Sequence, residues 1–187
     1  MQANNTSNKI VEQKLNEFMQ KNAGDIASTM SAMLLIIGDR LGLYKAMAEL
    51  GQPATSEELA KKTNTNERLL REWLANQAAG GYITYNPSDG KYTLPPEQAM
   101  ALADENSPVY IHGAYQAIRS YFKDEDKLVE MFKTGKGLRW GEHHHDLFEG
   151  SALFYKPNYV GNLVSSWIPS LDGIEEKLKQ GAKVADI

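Results

Sequence analysis

TSEELAKKTNTNERLLREWLANQAAGGYITYNPSDGKYTL, residues 55–94, decides the fold through its punctuation. Thr55 followed by Glu58 has capping-box spacing, so a short helix starts here. Thr63-Asn-Thr-Asn66 is a polar turn. Glu67 to Ala79 then places Leu70, Trp73, Leu74 and Ala78 on one helical face, and Gly80-Gly81 ends that helix. Tyr82 to Tyr85 and Lys91 to Leu94 read as two short strands around the turn Asn86-Pro-Ser-Asp-Gly90. Short helix, turn, longer helix, β-hairpin is the order of a winged helix-turn-helix.

Upstream, Ile10 to Lys21 repeats apolar residues at a helical period, and Asn22-Ala-Gly24 is expected to break it. A second helix is expected from Asp25 to Leu50. Its turn Leu34-Leu-Ile-Ile37 is apolar on every side and must be covered on both. Either it is a central core helix, or the Ile26–Met47 helix packs against a second copy. Downstream, Pro95-Pro96 opens a helix through Leu102, and Pro108 to Phe122, Glu125 to Lys133, Asn158 to Trp167 and Leu171 to Gln180 read as further helices. Ser107 is expected to cap the first of these four, with Pro108 at its opening position.

A helix-turn-helix usually points to DNA. Residues 51–95 carry five positive side chains (Lys61, Lys62, Arg68, Arg71, Lys91) and five negative ones (Glu57, Glu58, Glu67, Glu72, Asp89). Specific DNA binding draws much of its affinity from neutralising phosphates, so a balanced module with Glu67 and Glu72 on its second helix is not expected to bind DNA. A formal net charge of -4 points the same way. There is no cysteine, hence no disulfide and no thiol nucleophile. Met1 to Asn8 has no signal-peptide core, and the apolar run Ile26 to Gly38 is too short for a membrane span. The chain is therefore expected to be cytoplasmic.

Three of the four histidines stand together in Glu142-His143-His144-His145-Asp146. Imidazole suits proton transfer near neutral pH, which makes His143, His144 and His145 candidate catalytic residues. The neighbouring Trp140, Glu142 and Phe148 are candidate walls of a substrate pocket. A polar helix start is the alternative account. No metal site is expected, because adjacent helical histidines diverge by about a quarter turn each and at most two of the three could share one ion.

Gly38-Asp-Arg-Leu-Gly-Leu-Tyr44, Arg71 to Tyr82, Tyr92 to Glu97, Trp140 to Gly150 and Trp167 to Gly173 together resemble the front half of bacterial class I S-adenosylmethionine-dependent methyltransferases with an N-terminal winged helix. The resemblance implies a fold that is mainly α with a small β-hairpin. Its expected parts are an N-terminal helix (1–22), a dimerising helix with the winged-helix domain (23–104), a helical connecting region (105–181), and the first strand of a Rossmann-like α/β domain (182–187). It also implies a homodimer, a small-molecule substrate and S-adenosylmethionine as the cofactor of the intact protein, with Asp186 beside it. The pattern stops before the glycine-rich cofactor loop, so these residues alone are expected neither to bind the cofactor nor to turn over. The competing expectations are a winged-helix transcription regulator and a dimerisation scaffold without chemistry.

Overall fold

The computed structural model describes residues 11–185. The expected helix start at Ile10 and the candidate cofactor residue Asp186 lie outside the described residues. The chain is mainly helical with one two-stranded antiparallel sheet.

Helix α1 (Glu12–Arg40) runs for 29 residues, straight through Asn22-Ala23-Gly24. Local bonds carry it across: Asn22 Nδ2 donates to Phe18 O at 2.7 Å, and Lys21 pairs with Asp25 at 2.6 Å. A helical glycine costs only about 1 kcal/mol relative to alanine, which the long helix absorbs. The chain bends instead at Gly42, whose φ of +65° is the left-handed conformation that glycine adopts freely. Helix α2 (Leu43–Leu50) follows at 64° to α1.

Helix α3 (Ser56–Thr63) carries the expected capping box: Glu58 N–H donates to Thr55 Oγ1, and Thr55 N–H donates to Glu58 Oε2. Helix α4 (Glu67–Ala79) is capped by Asn66 and stops before Gly80. Strands β1 (Thr84–Asn86) and β2 (Lys91–Thr93) pair Tyr85 with Tyr92. Ala54 bonds to Tyr92 and supplies a third edge to this wing. Helix α5 (Pro96–Leu102) closes the unit with proline at its first position. Leu35, Leu43, Tyr44, Leu59, Leu70, Trp73, Leu74 and Ile83 form one buried core.

Gly38 explains why α1 lies so close to α4. A Cβ there would fall 2.4 Å from the Trp73 ring. The indole rests on the bare backbone, and its Nε1–H donates to Leu34 O at 2.8 Å. Tyr44 packs edge-on to Trp73 and donates to buried Gln77 at 2.5 Å.

Beyond the wing, helix α6 (His112–Lys123) starts four residues later than the proline predicts. Ser107 caps a turn instead, accepting from Val109 N–H at 3.3 Å, and Ile111 N–H donates to Ala101 O at 3.1 Å. Helix α7 (Glu125–Thr134) ends at Gly135, which takes φ +70°. A 3-10 turn (Trp140–Glu142) leads to helix α8 (Asp146–Asn162), which passes through buried Pro157 and continues as a π-helical turn (Leu163–Trp167). This helix begins twelve residues before the expected Asn158, because its first turns are clamped to α6. Helix α9 (Ile174–Lys179) is short, and residues 181–185 carry no regular structure.

Candidate functional site

Helices α6 and α8 meet backbone to backbone. A Cβ on Gly113 would fall 2.5 Å from Phe154 N and 2.6 Å from Gly150 O; one on Gly150 would fall 2.5 Å from Ala117 N. That close approach brings the start of α8 against the polar stripe of α6, where His112, Gln116, Arg119 and Lys123 follow at helical spacing. With Asp39 and Arg40 from the end of α1, His145 just before α8, and Asp146 and Glu149 from α8, this stripe walls a cleft of about 360 Å³.

Asp146 organises the cleft. It is buried and receives Arg119 Nη2 at 2.6 Å and Nε at 3.0 Å, and Lys123 Nζ at 2.7 Å. Burial alone would raise its carboxyl, but the Arg119 and Lys123 bonds outweigh it and hold the group well below the usual carboxylate range. Asp124, also buried, accepts from Lys127 Nζ at 2.7 Å and from the His144 N–H at 2.7 Å. The Lys127 bond first, and the His144 bond second, lower its carboxyl. Two buried acids therefore pin the histidine run between α7 and α8.

The three histidines precede α8 rather than lying within it, and they have three different environments. His143 is mostly buried, with Nδ1 3.4 Å from Asp124 Oδ2, and faces the rings of Tyr121 and Trp140. His144 is fixed by its backbone bond to Asp124, with Nδ1 3.2 Å from Asp146 Oδ2. His145 is 66% exposed, stacks on His144 at 4.1 Å, and sets Nε2 3.6 Å from Asp146 Oδ1. Of the three, His145 lines the cleft. Trp140 packs edge-on against Phe148 at 5.1 Å, and Glu142 accepts from the Arg139 N–H at 2.8 Å; none of these three is among the cleft walls.

His144, His145 and Asp146 hold their ligand atoms within 4.8 Å of one another. A metal there would have to displace Arg119 and Lys123 from both oxygens of Asp146, so the donor set suits cationic side chains better than an ion.

His112 and Arg119 are absent from the sequence-based candidates, and Asp146 stands there only as the flank of the histidine run. His112 is buried between Tyr44 and Tyr110, with Nε2 2.9 Å from Leu102 O. It ties α6 to the end of α5. Burial lowers its pKa. Tyr110 donates to Asp39 at 3.0 Å and completes this junction. The polar period of residues 112, 116, 119 and 123 was the available signal.

Helix α1 is exposed on nearly every side up to Met30 and buries one face only near its C-terminal end. Leu35 and Gly38 are buried, whereas Val11, Leu15, Met19, Ile26, Met30, Met33, Ile37 and Leu41 are exposed along one helical stripe. Among the described residues, no single helix is long and apolar enough to cross a membrane.

Residues 29–104 match the family of Rv2258c-like winged HTH domains. No curated protein matches the chain. Among solved structures, "PigF with SAH" aligns with a TM-score of 0.60 at 15% identity over 83% of this chain and 49% of that one. The mitomycin 7-O-methyltransferase MmcR aligns at 0.60 and 19% identity, over 80% and 47%. The S-adenosylmethionine-dependent methyltransferase SibL, in its apo form, aligns at 0.53 and 17% identity, over 77% and 46%. This chain spans about half the length of these solved chains. Its residues 29–104 are thus similar to a winged HTH domain of that kind, and the chain has the fold of the N-terminal part of those methyltransferase chains.

Proposed function

We propose that this chain is the dimerising, substrate-capping portion of an S-adenosylmethionine-dependent methyltransferase acting on a small molecule. The observation that carries the reading is the cleft between the winged-helix unit and α6–α8, which holds one exposed histidine over a buried, ionised carboxylate. The likeness in fold to the N-terminal part of PigF, MmcR and SibL supports it.

The described residues do not themselves fit the cofactor. Their sheet is a two-stranded antiparallel wing, whereas such cofactors sit at the glycine-rich turn of a parallel sheet. In the intact protein Asp186 is proposed to stand beside the cofactor. What this chain offers is binding and proton handling. His145, exposed on the cleft wall with Nε2 3.6 Å from Asp146 Oδ1, is the imidazole placed to accept a proton from a substrate hydroxyl or amine. His143 and His144 hold the loop that presents it.

The test is alanine replacement of His143, His144 and His145 in a protein joining this chain to its cofactor domain. His145→Ala is expected to lower kcat by about a hundredfold or more. Full turnover of that variant removes His145 as the base.

Dimerisation through α1 is the second part of the proposal. The apolar stripe of Leu15, Met19 and Ile26, on the part of α1 that touches no core, needs a cover, and a second copy of the same stripe supplies one. Ile26→Asp with Met19→Asp is expected to convert a dimer to a monomer in sedimentation equilibrium. A wild-type chain that sediments as a monomer at high micromolar concentration sinks this part.

A further inference from the structure

The polar cleft does not stand alone. An apolar groove of about 490 Å³ runs beside it between α1 and α6, walled by Met30, Met33, Tyr115, Ile118 and Phe122. The two cavities share one isoleucine, Ile36, and one arginine, Arg119, as walls.

The hydrogen-bonding groups of the polar half specify what fits there. Its walls carry three cations (Arg40, Arg119, Lys123) and three acids (Asp39, Asp146, Glu149), so its formal charge is balanced. Each acid already accepts a bond: Asp39 from Tyr110 at 3.0 Å, Asp146 from Arg119 and Lys123, and Glu149 from Gln116 at 2.9 Å. The cations are less committed. Arg119 spends Nε and Nη2 on Asp146 and keeps Nη1. Arg40 makes no hydrogen bond or ion pair among the described residues. A guanidinium presents five N–H donors and no acceptor, so the cleft holds unspent donors without net positive charge.

We propose that the two cavities form one site for a neutral amphiphile: an apolar body in the groove, with a carbonyl-type acceptor (ketone, quinone or amide oxygen) facing Arg40 and Arg119. A carboxylate would add charge that the balanced walls do not offset. An ammonium would set donors against donors. The inference rests on the reading of the cleft as the substrate site and names the class of molecule it takes.

Equilibrium dialysis of the full chain against four probes with one body tests this: 2-acetonaphthone, 2-methylnaphthalene, 2-naphthoate and 2-naphthylmethylamine. The ketone is expected to bind about tenfold tighter than the hydrocarbon, as one hydrogen bond to a charged donor gives. Arg40→Gln is expected to remove most of that gain and leave the hydrocarbon unchanged. Ile118→Asp, on the exposed groove wall, is expected to weaken both. Circular dichroism checks that each variant is folded. Tighter binding of the acid or the amine, equal binding of all four probes, or no binding overturns the proposal. These constants need no methyl transfer. Full turnover by His145→Ala would remove the proposed base and leave them standing.

Discussion

The winged-helix unit and the helices after it are built on different physics. Residues 35–103 enclose a conventional apolar core, in which Leu35 and Leu74 are 0% exposed. From α6 onward the buried hydrophobics are few, with Leu147 the clearest, while Phe132 is 94% exposed and Val164 76%. What holds this second region is a glycine-to-glycine backbone contact and two buried carboxylates with their cations. Its apolar side chains face outward along α8 and the π-helical turn, at Tyr155, Tyr159, Val160 and Val164. Exposed apolar patches of this kind mark surfaces that contact something else. The first region closes its own core, whereas the second turns most of its large apolar side chains outward.

The sharpest way to break that comparison is a pair of core changes. Gly150→Leu drives a side chain into the α6 backbone and is expected to cost about 3 kcal/mol or more. Leu74→Ala leaves a cavity in the first core and is expected to cost about 2–5 kcal/mol. Amide hydrogen exchange separates their effects. Gly150→Leu should abolish protection across residues 112–162 while residues 43–94 stay protected, and Leu74→Ala should lower protection in both. Equal loss in both regions for Gly150→Leu would mean that the chain unfolds as one unit.

A middle-sized effect comes from the ions. Asp146→Asn leaves Arg119 and Lys123 without their carboxylate, at an expected cost of about 2–3 kcal/mol. The pH dependence follows from the direction of the shifts. Asp124 and Asp146 have lowered pKa values when folded. Their stabilisation is present above the unfolded carboxylate value of about 4 and is lost as pH falls through the lower folded value. His112 is lowered too, by burial. The unfolded chain takes up that proton first, so stability falls as pH drops below about 6.5. Two acid steps are therefore expected in a urea-midpoint series. The upper one should vanish in His112→Gln and the lower one should shrink in Asp146→Asn. A flat profile between pH 7 and 5 in the wild type would remove the His112 account.

The smallest expected effect sits in the first region. Thr55→Ala removes the capping-box acceptor and should cost about 1 kcal/mol, read as a shifted midpoint with no change in the second region's protection. A larger loss that spreads to α6–α8 would show the regions to be more tightly coupled than their construction implies.

Local rules carried the winged-helix unit well. Capping box, paired glycines, the turn ending in Gly90 and the Pro96 start all act within a few residues, and the structure has each of them. They misplaced elements where distant contacts override local preference. Asn22-Ala23-Gly24 stays helical, Pro108 opens a turn instead of a helix, and Pro157 lies inside one. The candidate site followed the same division. The histidine run was legible as chemistry. Which histidine faces a cleft was not, because Asp124 is 20 residues from His144 and Arg119 is 27 from Asp146.

By itself, then, the sequence determined the order of elements and the caps within the winged-helix unit, its charge balance, and the type of side chain available for proton transfer. These depend on neighbours along the chain. Tertiary structure alone decided that Gly38 seats Trp73, that Gly113 meets Gly150, and that His145 rather than His143 or His144 opens onto the cleft. Each of those outcomes depends on where two remote backbones approach, and side-chain identity does not encode that distance.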